Sequence, residues 1–435
     1  MTRTMKDSGV EWIGQIPEKW NVKPIYTAFS EVVNKNYTGK VKTALRFSFG
    51  TIIPKENFNS DEDDYVADTI KNYTIVEPGN IIINGLNLNY DFVTKRVAIV
   101  NDFGVITSAY ISIKPDINEA YPKFMLYLLK SYDHCRAFHG MGEGVRKILN
   151  YSELKKNKVI LPPLPEQQAI ADYLDDKCAQ IDNITVTINE QIEVLKQYKK
   201  SVITEAVTKG LDPNAPMKDS GVEWIGRIPE HWKVGRIKFV ANNIGSGTTP
   251  ASSNLEYYDG GTYPWIQSGD LYGKDIITDT TKKITFAAIL NCPSLILQKK
   301  DFIIIAMYGA SVGNISISKI DAYTNQACCA IKINEKNFLK FIYYYLKAAQ
   351  ESMLSKAIGG TQPNISQIII KNLETIIPPQ AEQQAIANYL DDKCAKIDAV
   401  IADKQAQLET LAAYKKSLIY EYVTGKKSVP GFEEA

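Results

Sequence analysis

Cysteine and histidine are scarce, and neither is arranged for a metal or a catalytic centre. The six cysteines, Cys135, Cys178, Cys292, Cys328, Cys329 and Cys394, form no CxxC pair, and the three histidines, His134, His139 and His231, form no HExxH. That spacing suits reduced, half-buried thiols better than a disulfide framework or a zinc site, and it argues against metal or Ser/His/Asp catalysis. Long hydrophobic runs are missing too. No stretch approaches the roughly 18 apolar residues that span a bilayer, and the opening MTRTMKDSGVEW lacks the apolar core of a secretory signal. The expected location is cytoplasmic. Nucleotide motifs are also lacking: Gly39-Lys40 and Gly273-Lys274 have neither flank of a GxxxxGK[ST] loop, and Gly245-Ser-Gly247 reads as a turn. Asp116 with Glu153-Leu-Lys155 carries the letters of a nuclease site, but fragments this short arise by chance.

What is present is a duplication, which has to be found before any element is assigned. Met5 to Trp20 reads MKDSGVEWIGQIPEKW and Met217 to Trp232 reads MKDSGVEWIGRIPEHW. Glu166 to Asp182, EQQAIADYLDDKCAQID, returns as Glu382 to Asp398, EQQAIANYLDDKCAKID, and Tyr198-Lys-Lys-Ser201 returns as Tyr414-Lys-Lys-Ser417. The 435 residues are therefore two copies of one unit. Each copy has an opening motif, a variable stretch and a repeated segment, and the variable stretches share little beyond a Gly-rich patch near their ends.

The repeated segments read as long helices. Prolines at 162, 163 and 165, and at 378 and 379, close the preceding domains and suit a helix start. Leu174, Ile181, Ile188, Leu195 and Val202 then recur every seventh residue, matched by Leu390, Ile397, Lys404, Leu411 and Leu418. Ile192, Ile401 and Leu408 add a second seam. A seven-residue apolar repeat keeps one stripe facing a partner helix, so an antiparallel coiled coil about a pseudo-two-fold axis is expected. Lys209-Gly210-Leu-Asp-Pro213 is a stop signal for the first helix. The variable stretches mix strand runs, such as Asn80–Asn84, Arg96–Val100 and Phe302–Ala306, with short helices near Lys123–Ser131 and Asn337–Gln350. The fold class is thus α+β: domains at 1–163 and 217–378, helical spacers at 164–216 and 379–435.

Charge divides along the same lines. Residues 1–163 hold 21 basic against 18 acidic side chains and 217–378 hold 17 against 13, while the helical segments hold 5 against 9 and 7 against 9. A modest basic excess on the variable domains suits phosphate contact, with partners supplying part of the affinity for DNA.

Several motifs then match a family. Ile244-Gly-Ser-Gly-Thr-Thr-Pro250, Tyr257-Tyr258, Tyr263-Pro-Trp-Ile266 and Ser268-Gly-Asp-Leu271 resemble a target-recognition domain of type I restriction–modification specificity subunits. So do Gly309-Ala-Ser-Val-Gly313, Thr324-Asn-Gln326, Gly359-Gly-Thr-Gln-Pro-Asn364 and the Pro378-Pro-Gln-Ala-Glu-Gln-Gln384 junction. The opening motif is similar to the family's domain starts. The first variable stretch departs from the pattern: it lacks GTTP and PWI but keeps Gly140-Met-Gly-Glu-Gly-Val-Arg-Lys147.

The resemblance implies a non-catalytic subunit that binds double-stranded DNA. Each target-recognition domain would read one half of a bipartite target, and the helices would set the spacer and dock two methylation subunits. Those partners would carry S-adenosylmethionine and modify adenine; a separate restriction subunit, the motor, would bring ATP and Mg, and this chain would carry no cofactor. Consistently, Pro162-Pro163 and Pro378-Pro379 follow Leu161 and Ile377, where an adenine methylase has [DN]PP[YF]. Competing readings are a stand-alone methyltransferase or nuclease, which the missing motifs oppose, and a coiled-coil adaptor for two proteins, which the basic domains oppose.

Base reading needs Arg, Lys, Asn or Gln, with Ser and Thr as adaptable partners, and phosphate contact needs basic side chains and backbone N–H groups. The aligned Gly-rich loops nominate Arg146 and Lys147 in the first domain, and Thr361 and Gln362 in the second. Asn84, Asn87, Asn89, Tyr90 and Arg96 join the first set; Ser246, Thr248, Thr249, Ser268, Lys274 and Tyr308 join the second.

Overall fold

A computed structural model describes residues 3–56, 64–141, 147–357 and 363–432. The chain forms two compact units, Met1–Asn189 with Gln405–Ala435, and Glu190–Lys404. These units cut across the expected four-part division, because each joins the start of one long helix to the end of the other. The helices run Leu164–Lys209 and Gln380–Val423. The first closes on Gly210, whose φ of +76° only glycine adopts readily and whose N–H returns to the Ala206 carbonyl at 3.1 Å.

In the first unit a hairpin pairs Met5–Asp7 with Gln15–Pro17, and Asn21–Pro24 lies antiparallel to Lys158–Leu161. A four-stranded antiparallel sheet follows, in the order Phe29–Glu31, Ile111–Pro115, Ile81–Ile83, Val97–Ile99. Helix Pro122–His134 buries Phe124, Met125, Leu128 and Leu129 in the same core as Ile81, Ile83 and Ile113. In the second unit the sheet has five strands, ordered Ala241–Ser246, Cys328–Ile333, Phe302–Ala306, Ile315–Ser318, Ile276–Ile277. A smaller sheet sets Tyr263–Ile266 between Lys282–Ile284 and Tyr323–Thr324. Helix Leu339–Ala348 covers the larger sheet with Phe341, Ile342, Tyr345 and Leu346. Among the described residues no helix is long and apolar enough to cross a membrane.

The repeated EQQ sequence is where each domain grips its helix. Gln167 is fully buried: its side-chain oxygen accepts the Tyr121 N–H at 2.8 Å, and its amide donates to the carbonyls of Glu119 and Pro162. Gln383 repeats this with the Phe338 N–H, Asn337 Oδ1 and the Pro378 carbonyl. The preceding glutamates take the indole N–H of the opening motif, Trp20 to Glu166 and Trp232 to Glu382, each at 2.9 Å. Two turns further, Asp175 accepts from Lys123 and Tyr127, and Asp391 from Lys340 and Tyr344.

The heptad seam is present within each unit. In the first, Leu174, Ile181 and Leu418 enter the core, Leu411 packs partly buried against it, and Ile188 is buried. Asp182 meets Lys415 at 2.6 Å, and Tyr173 meets Tyr422. In the second, Val202 and Leu390 share the core, Ile397 is buried and Leu195 half-buried; Lys199 meets Asp398. Both pairings are antiparallel. Lys404, the polar intrusion in the repeat, donates to Gln191 at 2.6 Å.

Replacing Gln383 with leucine keeps the volume but strands the Phe338 N–H and the Pro378 carbonyl. We expect a loss of about 2–4 kcal/mol, read as a lowered urea midpoint of the full chain. An unchanged midpoint would remove the glutamine from its place as the joint.

Candidate functional site

In the second unit the separate motifs converge. The chain leaves the edge strand Ala241–Ser246 at Gly247, where a Cβ would stand 1.7 Å from the Thr324 carbonyl oxygen, so only glycine permits the approach. Thr248 then donates its N–H to that carbonyl at 3.0 Å, and its own carbonyl accepts the Trp265 indole at 3.2 Å. Thr249 bonds Gln326, and Ser246 bonds Gln367. Tyr308 is half-buried, and burial followed by Cys328 raises its hydroxyl pKa above the usual range. The residue before it, Met307, accepts the Ile365 N–H at 2.7 Å. Ile365 follows the Gly-rich loop; Thr361 and Gln362 themselves lie outside the described residues.

Two of the nominated residues stand apart from that cluster. Ser268 sits on a turn shaped by buried Asp270, which caps Gln267 and Thr281. Lys274 is exposed beside the strand Ile276–Ile277, at the opposite edge of the five-stranded sheet from Ser246. Gln326 and Gln367 were not nominated. Gln326 was visible in the quoted Thr324-Asn-Gln326 motif, whereas nothing local marked Gln367.

The first unit repeats the scheme with different residues. Leu149 donates to the Gly85 carbonyl at 2.9 Å, as Ile365 does to Met307, and Leu88 donates to the Lys147 carbonyl at 3.0 Å. Exposed Lys147 is thereby held beside the loop carrying Asn84, Asn87, Asn89 and Tyr90. A Cβ at Gly85 would meet the Leu149 carbonyl at 2.4 Å, so this approach also depends on glycine. Asn84 is engaged locally, its Oδ1 capping the Leu86 N–H. Asn87 is exposed with a φ of +54° and Tyr90 is exposed. Arg146 lies outside the described residues.

Arg96 corrects its nomination as a DNA contact. Its side chain is fully buried, donating to the carbonyls of Asn84, Leu86 and Asp91, while its own N–H goes to Asp133. Burial raises the Asp133 pKa, and the hydrogen bond from Thr94 lowers that of Asp91. A fully buried guanidinium turned onto three carbonyls braces the loop from inside, and its burial keeps it from reaching a base. Each of the six cysteines is a free thiol. Among the described residues no cluster of His, Cys, Asp or Glu could hold a metal ion.

Comparison with known proteins places this geometry. The family described as type I restriction modification DNA specificity domain matches residues 66–194 and 229–410. The chain belongs to the type I restriction–modification specificity family. It is 28% identical over 436 residues to a putative type I restriction enzyme MjaX specificity subunit of Methanocaldococcus jannaschii, covering 95% of both chains. To the MjaVIII specificity subunit of the same organism it is 26% identical over 421 residues, covering 95% of this chain and 94% of the other. Among solved structures, one from work on complex assembly and conformational transition of the type I R-M system has a TM-score of 0.74 at 17% identity. That match covers 95% of this chain and 99% of the other. The HsdS subunit from Thermoanaerobacter tengcongensis gives 0.52 at 17% identity, covering 95% and 98%. At that identity the likeness shows the fold: two mixed α/β domains with long paired helices. The variable units are the DNA-recognition domains of a specificity subunit, a family that binds DNA and assembles with other restriction–modification subunits.

Arg96 and Lys147 should therefore fail differently. Arg96→Met strands three carbonyls and should cost about 3 kcal/mol of stability, visible as a lowered thermal midpoint. Lys147→Ala should leave that midpoint unchanged, weaken DNA binding whatever the sequence, and reduce the log–log salt slope by about 1. A salt slope that Lys147→Ala does not move would take the residue off the phosphate backbone.

Proposed function

We propose that each recognition domain reads one half of a bipartite DNA target. The paired helices set the spacer and dock two methylation subunits, which hold S-adenosylmethionine and modify adenine. The motor subunit, with ATP and Mg, joins for restriction. The chain itself positions these enzymes and carries no chemistry of its own.

The observation that carries this reading is one joint beneath two unlike surfaces. Gln167 and Gln383 make matching bonds at the helix starts. Leu149 and Ile365 seat the Gly-rich loops on corresponding strand ends. Around those shared anchors the exposed and half-buried polar groups differ: asparagines, Tyr90 and Lys147 in one unit, a Ser/Thr/Gln cluster in the other. Phosphate contacts position a protein on the duplex, and base-edge contacts specify the sequence. Unlike side chains on a shared scaffold are what reading two different half-sites requires. Within the first domain the contacts fall to Asn87, Asn89, Tyr90 and the loop through Arg146 and Lys147. Within the second they fall to Ser246, Thr248, Thr249, Tyr308 and the loop through Thr361 and Gln362, with Ser268 and Lys274 outlying.

Exchange of residues 21–161 for the corresponding stretch of another family member tests it. With the methylation subunits present, methylome sequencing should show one half-site replaced, the other retained and the spacer unchanged. Alteration of both halves would defeat the modular reading.

A further inference from the structure

The first recognition domain carries an apolar feature that its fold does not need. Leu45–Ser48 and Thr51–Pro54 form a hairpin in which Ser48 pairs with Thr51, so Phe49 and Gly50 make the whole turn. Their φ values are +46° and +82°. Two successive positive φ angles are what a type I′ turn demands, and the first position favours Asn, Asp or Gly. A phenylalanine there is sterically costly. Burial does not offset the cost, because Phe49 is 91% exposed.

A second apolar segment lies against that turn. A Cβ on Gly50 would stand 3.0 Å from Lys95 Cβ, which places the hairpin tip on the end of the loop that Arg96 braces. Val93 in this loop is 93% exposed and Tyr90 69%. The loop is built, not slack. Asp91 Oδ1 accepts the N–H groups of Val93 and Thr94, and the Phe92 ring stacks on His139 at 5.1 Å with an interplanar angle of 10°. Arg136, itself at a φ of +57°, sets its guanidinium 5.2 Å from the Phe92 ring centroid. Strained backbone gathered around one exposed patch points to use rather than to packing.

The charge beside the patch says what it meets. Lys130 and His134 both titrate below their usual values, His134 at about 4, first through burial. The cations that add to this are Lys95 for both, Lys415 for Lys130, and Lys416 with Lys130 for His134. Lys415 is itself paired with Asp182, and Asp175 opposes the shift at Lys130. The cation beside the apolar tip is Lys95, against which Gly50 packs. An exposed apolar tip with a lysine at its base complements a duplex, whose phosphates flank a stack of aromatic bases. Proteins that wedge apolar side chains between base steps offset the cost of unstacking with contacts to the bent duplex.

We propose that Phe49 and the Tyr90–Val93 loop form an apolar wedge that enters the duplex at one base step of the first half-site. Phe49 is the inserting ring, and the platform of Phe92, His139 and Arg136 holds Val93 and Tyr90 against the neighbouring base and sugar. The proposal rests on the reading that residues 21–161 contact one half-site, and it adds distortion of that half-site to the means of recognition.

The test uses the full chain assembled with its own methylation subunits, on duplexes carrying 2-aminopurine at successive positions of the half-site that the 21–161 exchange replaces. Fluorescence should rise several-fold at a single step. Phe49→Asn suits the turn better than the natural residue, so its thermal midpoint should hold or increase, while the fluorescence rise disappears and affinity falls several-fold. Val93→Ser should show a partial loss. Tight, specific binding with no rise at any position overturns the wedge and leaves the half-site reading standing, as does a Phe49→Asn complex that keeps both rise and affinity. An exchange that leaves both half-sites unchanged removes the half-site reading, and the wedge with it.

Discussion

Gln167 and Gln383 each answer three partners at the point where a variable domain turns into a long helix. A backbone N–H and a carbonyl left bare at a buried junction would each cost about 1–3 kcal/mol. One amide side chain, donor and acceptor together, satisfies the domain, the proline-bearing crossover and the helix start at once. The neighbouring glutamate fastens the opening tryptophan, so the first and last parts of each domain are gripped from the same helical turn. With the boundaries held in this way, the loops between them carry little of the fold and are free to differ.

Duplication of a helix has an electrostatic consequence. When two copies of one sequence pair antiparallel, any acid–base pair between them occurs twice with the partners exchanged. Asp182 meets Lys415 and Asp398 meets Lys199, and each aspartate and lysine is the repeat counterpart of the other pair's. Exposed ion pairs contribute little stability each. Like charges in a slipped register would repel, however, so the pairs act mainly to select one alignment, as charges flanking an apolar seam do. Lys404 is consistent with this: a lysine in a seam position is tolerable where Gln191 receives it.

The long elements were legible because periodicity reports burial over many residues. The helices begin at Leu164 and Gln380, beside the prolines that marked them, and the strand Phe302–Ala306 has the expected bounds. Leu195 and Leu411 hold the heptad positions yet are only half-buried, since the repeat specifies a direction and not how closely the partner packs there. Two features were not legible. The compact units divide inside the helices, because a helix's sequence shows which face is apolar but not which domain covers it. Arg96 looked like a base reader because its residue type allows that; its fate was decided by the carbonyls of Asn84, Leu86 and Asp91 turning inward around it. Composition shows a charge, whereas its use depends on backbone direction.

The same distinction explains where local rules are broken. In the helices and sheets, propensity, pattern and packing agree, which is the condition for one well-defined fold. Apart from Asp301 before the strand Phe302–Ala306, the departures collect on the candidate recognition loops. Phe49, Asn87 and Arg136 take positive φ without being glycine, and Gly85 and Gly247 let the chain approach a neighbouring backbone closer than any side chain allows. Such positions lower stability, and they persist because surrounding bonds over-determine them: Arg96 under the first domain's loop, Thr324 and Trp265 under the second's. Reading a base edge requires donors and acceptors held to a fraction of an ångström. A slack loop would lose that accuracy to conformational entropy at every encounter. A strained loop fixed from beneath has already met that cost in folding, which is what the proposed reading of a half-site by these loops requires.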